Sequence, residues 1–377
     1  MKNYIYLFLV FLFFSCEKKE ENMLIGNWCF DEQLKNEDDN YSFDEETFGL
    51  NIINDSILEY KFGFYKHVPT NMKVLHVDRE NTDMKINALR FLGTKTKYTI
   101  KDSTFLFWDK SDSIWLKHKI KTLNHEYLVL EDDSKKEYNL VKKKNTYNNA
   151  TLYDAIIVDR EMGFGCCGIN TTYINRKGEM YFKGLGYNTN EDDFTAKLDL
   201  KITTQIFNNF DQIDILKMDN SYQRSVTDAQ NNTITFIKNG KIIKSIQDYA
   251  NKAPIDFFAA YNELSYLYQK VKKKNDAVFI FDNRLHFPSF ENNKVQNEIH
   301  NSEFFLLELE LMKGKEVNLR FEPKYNLNFS YLNRGFLFNK IETDGRYYKF
   351  IYENNNSKII DIGYNFIEAN PIIKLKR

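Results

Sequence analysis

The chain has 377 residues, 42% hydrophobic and 16% aromatic, enough apolar material for more than one core and for two or three domains. A formal net charge of −1 leaves no global field that would favour nucleic acid or an acidic partner. With only 5 Pro and 15 Gly, a disordered or fibrous class is excluded.

The first residues carry an address. Met1-Lys2-Asn3 gives a positive end, Tyr4 to Phe14 is an unbroken apolar run, and Ser15-Cys16 precedes the charged stretch EKKEEN. The run is about half of the roughly 20 residues a spanning helix needs, so residues 1–15 read as a signal peptide. A small residue directly before cysteine at the end of such a run resembles a bacterial lipobox. The resemblance implies that Cys16 becomes the lipidated first residue, with residues 16–23 as a tether to the membrane. Lys19-Glu20-Glu21 resembles the export signal that sends some lipoproteins to the outer membrane, so the expected place is the cell envelope, periplasmic or surface-facing.

Residues 24–144 alternate as short strands: TFGLNII, SILEYKFGFY, KYTI, TFLFWD, SIWLKHKI, EYLVLE and EYNLVKK, broken by polar clusters. This spacing predicts a small β-barrel or sandwich. Gly26-Asn27-Trp28 at its front resembles the G-x-W opening of lipocalin-like domains, which implies a barrel whose mouth could hold a small apolar ligand. A filled barrel that binds nothing is the alternative. Asp55-Ser56-Ile57, Asp102-Ser103-Thr104 and Asp112-Ser113-Ile114 resemble bacterial O-glycosylation sites at Ser56, Ser103 and Ser113; plain turn chemistry explains Asp-Ser equally well.

Lysine- and asparagine-rich joints flank residues 151–272. Hairpin turns are expected at Arg176-Lys177-Gly178 and at Lys238-Asn239-Gly240, because primed turns need positive φ. A helix over about Asp199 to Phe210 offers Leu200, Ile206, Phe207 and Phe210 to a core. A second, started by Pro254, carries Phe257, Phe258, Tyr261, Leu264, Leu267 and Tyr268 on one face. Two hairpin–helix units predict a central antiparallel sheet with helices on one face. YDAIIVDRE, Phe164-Gly165-Cys166-Cys167, the stretch from Thr172 to Tyr187 and ITFIKNGKIIKSIQDY together resemble the domain of unknown function 6438 family. Against that family's pattern, Gly163 stands at the place of its first cysteine, Gly168 at that of a proline, and Cys166 is extra. The resemblance implies a fold pattern and little chemistry.

Residues 276–377 return to expected strands, AVFIFD, FFLLELEL, EVNLRFE, YNLNFSYL, GFLFNKI, RYYKFIYE and KIIDIGYNFI, with another hairpin at Asp344-Gly345. The whole is thus expected to be α+β and β-rich, ending in a C-terminal β module.

Candidate chemistry is sparse. Cys29, Cys166 and Cys167 remain once Cys16 is assigned to lipid. An exported chain favours disulfides, and an odd count leaves open one disulfide, unpaired structural thiols, or a redox or metal role. The loop GFGCCG, with Gly163, Gly165 and Gly168, permits close approach of a ligand or of another strand; no Gly-Lys-Ser/Thr makes it a phosphate loop. The six histidines form neither HxH nor HExxH, Glu191-Asp192-Asp193 lacks a calcium-loop pattern, and G-x-S-x-G is missing. No metal site and no cofactor are expected. The leading expectation is a non-enzymatic binding or assembly module of the envelope, partnered by an envelope protein or a small apolar ligand. An envelope hydrolase with a site at a module seam is the alternative.

Overall fold

A computed structural model describes residues 23–30, 43–74, 82–144, 147–163, 167–190, 192–281, 288–292, 295–329, 338–370 and 373–376. The signal peptide, Cys16, Gly165, Cys166 and Glu191 lie outside them. The chain divides into two compact units. The first draws on residues 1–66, 90–146 and 253–260, the second on 67–89, 147–252 and 261–377.

In the first unit β1 (Gly26–Phe30), α1 (Phe43–Glu46), β2 (Gly49–Asn54), β3 (Ile57–Val74), β4 (Thr82–Lys101), β5 (Thr104–Asp109), β6 (Ile114–Leu123), β7 (Tyr127–Asp132) and β8 (Glu137–Lys143) follow in order, the end of β3 and the start of β4 being counted with the second unit. The eight strands form a closed barrel, β1 pairing antiparallel with both β2 and β8. A closed eight-stranded barrel fits the expected lipocalin-like module and is not a sandwich. Period-2 alternation fills it: Phe105 and Phe107 from β5, Leu128 and Leu130 from β7, and Tyr138 and Leu140 from β8 point inward. Trp28 is fully buried among them, its indole N–H donating to the Leu24 carbonyl at 2.6 Å. Gly26 is required beside it. Its φ is +138°, and a Cβ there would lie 2.5 Å from the Lys142 side chain, whose ammonium sits 5.0 Å over the Trp28 ring.

The second unit opens with β9 (Ala155–Arg160), β10 (Ile169–Asn175), β11 (Glu179–Gly186), β12 (Phe194–Lys197), α2 (Leu200–Asp211), β13 (Ser221–Tyr222), β14 (Asn231–Lys238) and β15 (Lys241–Tyr249). Then come α3 (Ile255–Ser265), whose first turns belong to the first unit, and β16 (Asn275–Asp276). The sheet order is β13-β15-β14-β9-β10-β11-β12-β16, antiparallel except where β13 runs parallel to β15. Asn239 and Gly240, both at positive φ, turn β14 into β15 as their sequence predicts. All of β9 is buried, as befits a central strand covered on both faces. On α2, Ile206, Phe207 and Phe210 are buried; Tyr153 lies 6.0 Å from Phe207 and Phe236 5.7 Å from Phe210 between rings, and Tyr153 and Phe236 lie 5.0 Å from each other. Leu200, expected in that core, is 67% exposed: it is the first helical residue, and Thr203 takes the inward place of the first turn.

The remaining elements are β17 (Pro288–Glu291), β18 (Val295–Glu298), α4 (Asn301–Lys313), β19 (Lys315–Val317), β20 (Tyr325–Phe329), β21 (Phe338–Thr343), β22 (Tyr347–Tyr352), β23 (Ser357–Asp361), α5 (Phe366–Ala369) and β24 (Ile373–Lys376). Their sheet runs β19-β23-β22-β21-β20-β17-β18-β24. FFLLELEL, expected as a strand, is helix α4. A capping box joins His300 and Glu303 at its start, and Phe304, Phe305, Leu307 and Leu311 share one core with Ala155 and Ile157 of β9 and Tyr348 and Phe350 of β22. Residues 277–281 of the expected strand AVFIFD are irregular, and the strand expected over 316–322 is confined to Lys315–Val317.

Candidate ligand-binding site

The barrel carries a cavity of about 430 Å³. Its lining combines inward strand positions with residues of α1, Trp115 and Lys117 of β6, and the turn from Asp132 to Ser134. Residues 116, 118 and 120 of β6 face in, and register sets His118 opposite Phe105 of β5 and Asp132 of β7. Phe48 stacks near Tyr138 at 4.4 Å and Tyr60 at 5.7 Å, Tyr60 lies 5.7 Å from Phe107, and Phe107 lies parallel to His118 at 5.5 Å. These rings line the cavity, and Asp44, Asp132, Asp133 and Lys117 add charge to its wall.

Electrostatics follow from burial. His118 is 5% exposed, and loss of water pushes its imidazole down to about 4 although Asp132 and Asp133 oppose this. It is therefore neutral at ordinary pH, and its Nδ1 has no hydrogen-bond partner among the described residues. Burial, then Tyr138 and Asp44, hold the Tyr60 phenol well above its ordinary value; burial, then Asp132, do the same for Tyr138. Burial works against the Asp132 charge, but Ser134 and the Lys136 N–H hold its carboxyl below the usual range. The site presents neutral rings, one neutral imidazole and the lowered carboxyl of Asp132.

Cys29 lies elsewhere in the first unit, in a buried polar cluster. The Lys61 ammonium donates to Asp256 and to Asn27, and lies 3.1 Å from the Cys29 sulfur. The thiol donates to Asp256 Oδ2 at 3.2 Å. Burial and then the Asp256 charge push the thiol up to about 12, so Cys29 is a free, neutral thiol and a poor nucleophile or metal ligand. Burial works against the Lys61 charge, yet Asp256 and then Cys29 keep the ammonium above its ordinary value.

The glycine loop follows β9 in the second unit. Gln230 braces it from both sides: its amide donates to the carbonyls of Glu161 at 2.9 Å and Gly168 at 3.1 Å, while its carbonyl accepts from Arg160 at 2.6 and 3.1 Å. The Arg160 guanidinium in turn lies 4.6 Å over the Tyr266 ring. A Cβ at Gly163 would come within 2.9 Å of the Gln230 backbone, and one at Gly168 within 2.6 Å of Asn188 Oδ1. Side chains and backbone of the same unit thus occupy the close approach that these glycines permit. Cys167 is half-buried beside them. Ser56, Ser103 and Ser113 are all exposed on turns, the last two at positive φ.

Residues 154–268 match the family described as a domain of unknown function, DUF6438. The DUF6438 segment spans β9 through α3 and so contains the braced loop, while the cavity lies outside it. No curated protein and no solved structure matches the chain.

Among the described residues no group of three His, Cys, Asp or Glu could hold a metal ion, and no helix is long and apolar enough to cross a membrane. Sequence reasoning singled out none of the cavity residues. The signal for His118 was present, since Leu116, His118 and Ile120 alternate on one face of SIWLKHKI.

Proposed function

We propose that this chain is a cell-envelope lipoprotein, tethered through Cys16, whose N-terminal barrel binds a small molecule. The aromatic cavity of about 430 Å³ carries the reading: its volume lies within the range of small-molecule sites, and rings with a few convergent polar groups are their usual lining. The apolar run ending in Ser15-Cys16 supports the envelope address. Cys29, a buried neutral thiol, lends no support to a thiol-dependent hydrolase. A binding role agrees better with a ring-lined cavity in a tethered module.

Native mass spectrometry on protein extracted gently from its own envelope tests both halves. A covalent lipid mass that survives denaturation and maps to Cys16 is expected, together with a reproducible small-molecule mass that denaturation releases. An unmodified Cys16 would overturn the anchor, and a clean apo mass in repeated preparations would overturn the binding role.

A further inference from the structure

A tethered barrel can draw its ligand from the lipid or from the water, and its two ends differ in ways that bear on this. The chain's entry fixes one end. Leu24 is fully buried and its carbonyl takes the Trp28 indole N–H, while the Met23 carbonyl accepts from Lys142 Nζ at 2.9 Å. No slack remains beyond Met23, so the seven steps of chain from Cys16 span about 25 Å at most. Neighbouring strands alternate in direction, so the turns at 54–56, 101–103 and 124–126 and the end of β8 share this entry end.

Two features suit the entry end to a lipid surface. Ile25 and Ile53, which flank the Gly26–Ile52 pair of β1 and β2, and Tyr127 at the start of β7 are 36%, 41% and 46% exposed. Tyrosine and lysine around bared apolar side chains match the headgroup layer, where rings and ammoniums meet water while carbon meets lipid. Charge is the second feature. Lys101, Lys142, Lys143 and Lys144 stand here against Asp55, Asp102 and Glu126. At the opposite end, which carries the cavity, α1 and the turns 109–113 and 132–136 hold seven carboxylates against three ammoniums. Phe43 and Ile114 are bared there as well, but the carboxylates around them are repelled by an anionic leaflet.

Resting on the anchor and the binding role proposed above, we infer that the barrel seats its entry end on an anionic lipid surface. Ile25, Ile53 and Tyr127 enter the headgroup layer, and the cavity faces the water, from which its ligand arrives. Glycans at Ser56 or Ser103 would stand between this end and the lipid, so both serines serve as turn residues. Ser56 already does so, its N–H and hydroxyl both donating to Asn54.

The test reconstitutes the lipidated chain in phosphatidylcholine–phosphatidylglycerol vesicles, either plain or brominated high on the acyl chain. Tryptophan emission is compared in the natural chain, Ile53→Trp and Ile114→Trp, since bromine quenches only at close range. The emission that Ile53→Trp adds to the natural chain is expected to fall about twofold in brominated vesicles, and that added by Ile114→Trp to stay unchanged. Lys143→Glu combined with Lys144→Glu, both at exposed positions, should cut the quenching at residue 53 by about half. Quenching of Ile114→Trp equal to or above that of Ile53→Trp would overturn the seating, as would a glycan mapped to Ser56 or Ser103. Quenching of neither, in a chain whose mass shows the lipid on Cys16, would overturn the seating and leave the anchor standing. An unmodified Cys16 ends both, and the binding role is judged separately by the native mass.

Discussion

His118 shows how one residue sets a pH dependence. In the unfolded chain its imidazole titrates near 6.5; in the barrel, burial holds it down to about 4. Between these values the unfolded state binds the extra proton and the folded state does not, so stability is full above pH 6.5 and falls as pH drops toward 4. The loss amounts to up to about 3 kcal/mol. His118→Phe keeps a ring beside Phe107 and Tyr138 and removes the proton. Urea unfolding followed by tryptophan emission at pH 7 and pH 4.5 should show an acid loss in the natural chain and a much flatter response in the variant. An identical acid loss in both would mean that other groups cause it. Alternation places His118 inward, so its position was legible; its neutrality was not. That depends on Phe48, Phe107 and Tyr138, which three other segments bring to it.

The element that defeated sequence pattern is α4. Leu307-Glu308-Leu309-Glu310-Leu311 alternates with period 2 and reads as a half-exposed strand. In the fold the Glu308 side chain is 1% exposed and accepts from Lys183 of β11 at 2.8 Å and from the Phe281 N–H at 2.8 Å, whereas Glu310 is half-buried and paired with Lys313. A helix buried nearly all round has no polar stripe to announce its period, and the partner that permits a buried glutamate lies 125 residues away. The hairpins at Gly178, Gly240 and Gly345 were legible for the opposite reason, since each is specified by its own turn residues. The buried pair predicts a particular pattern of stabilities. Lys183→Met or Glu308→Leu alone strands a buried charge and should cost about 3–5 kcal/mol, whereas the double variant should cost about 1–3 kcal/mol, the remainder being the Phe281 N–H and carbonyl left without partners. Urea unfolding followed by far-UV circular dichroism measures this. Additive single effects would show that the pair does not act as a unit.

At the scale of the whole molecule the two units carry opposite pH responses. Asp159, on the central strand of the second unit, is buried; loss of water and then the charge of Glu161 raise its carboxyl to about 7, against the hydrogen bond from Thr171 at 2.5 Å. Its unfolded value is near 3.8, so the folded state retains a proton that the unfolded chain has lost between about pH 4 and 7. Stability from this group therefore declines as pH rises through that window, by a few kcal/mol above pH 7. His118 weakens the first unit toward acid; Asp159 weakens the second toward alkali. The two can be read apart because Trp28, Trp108 and Trp115, the only tryptophans of the chain, all belong to the first unit. Asp159→Asn should raise the midpoint seen by far-UV circular dichroism at pH 8, have little effect on it at pH 4.5, and leave the tryptophan-detected midpoint unchanged at both. A tryptophan-detected shift as large as the dichroism shift would show that the units unfold as one. No shift at pH 8 by either probe would show that Asp159 is not held protonated in the fold.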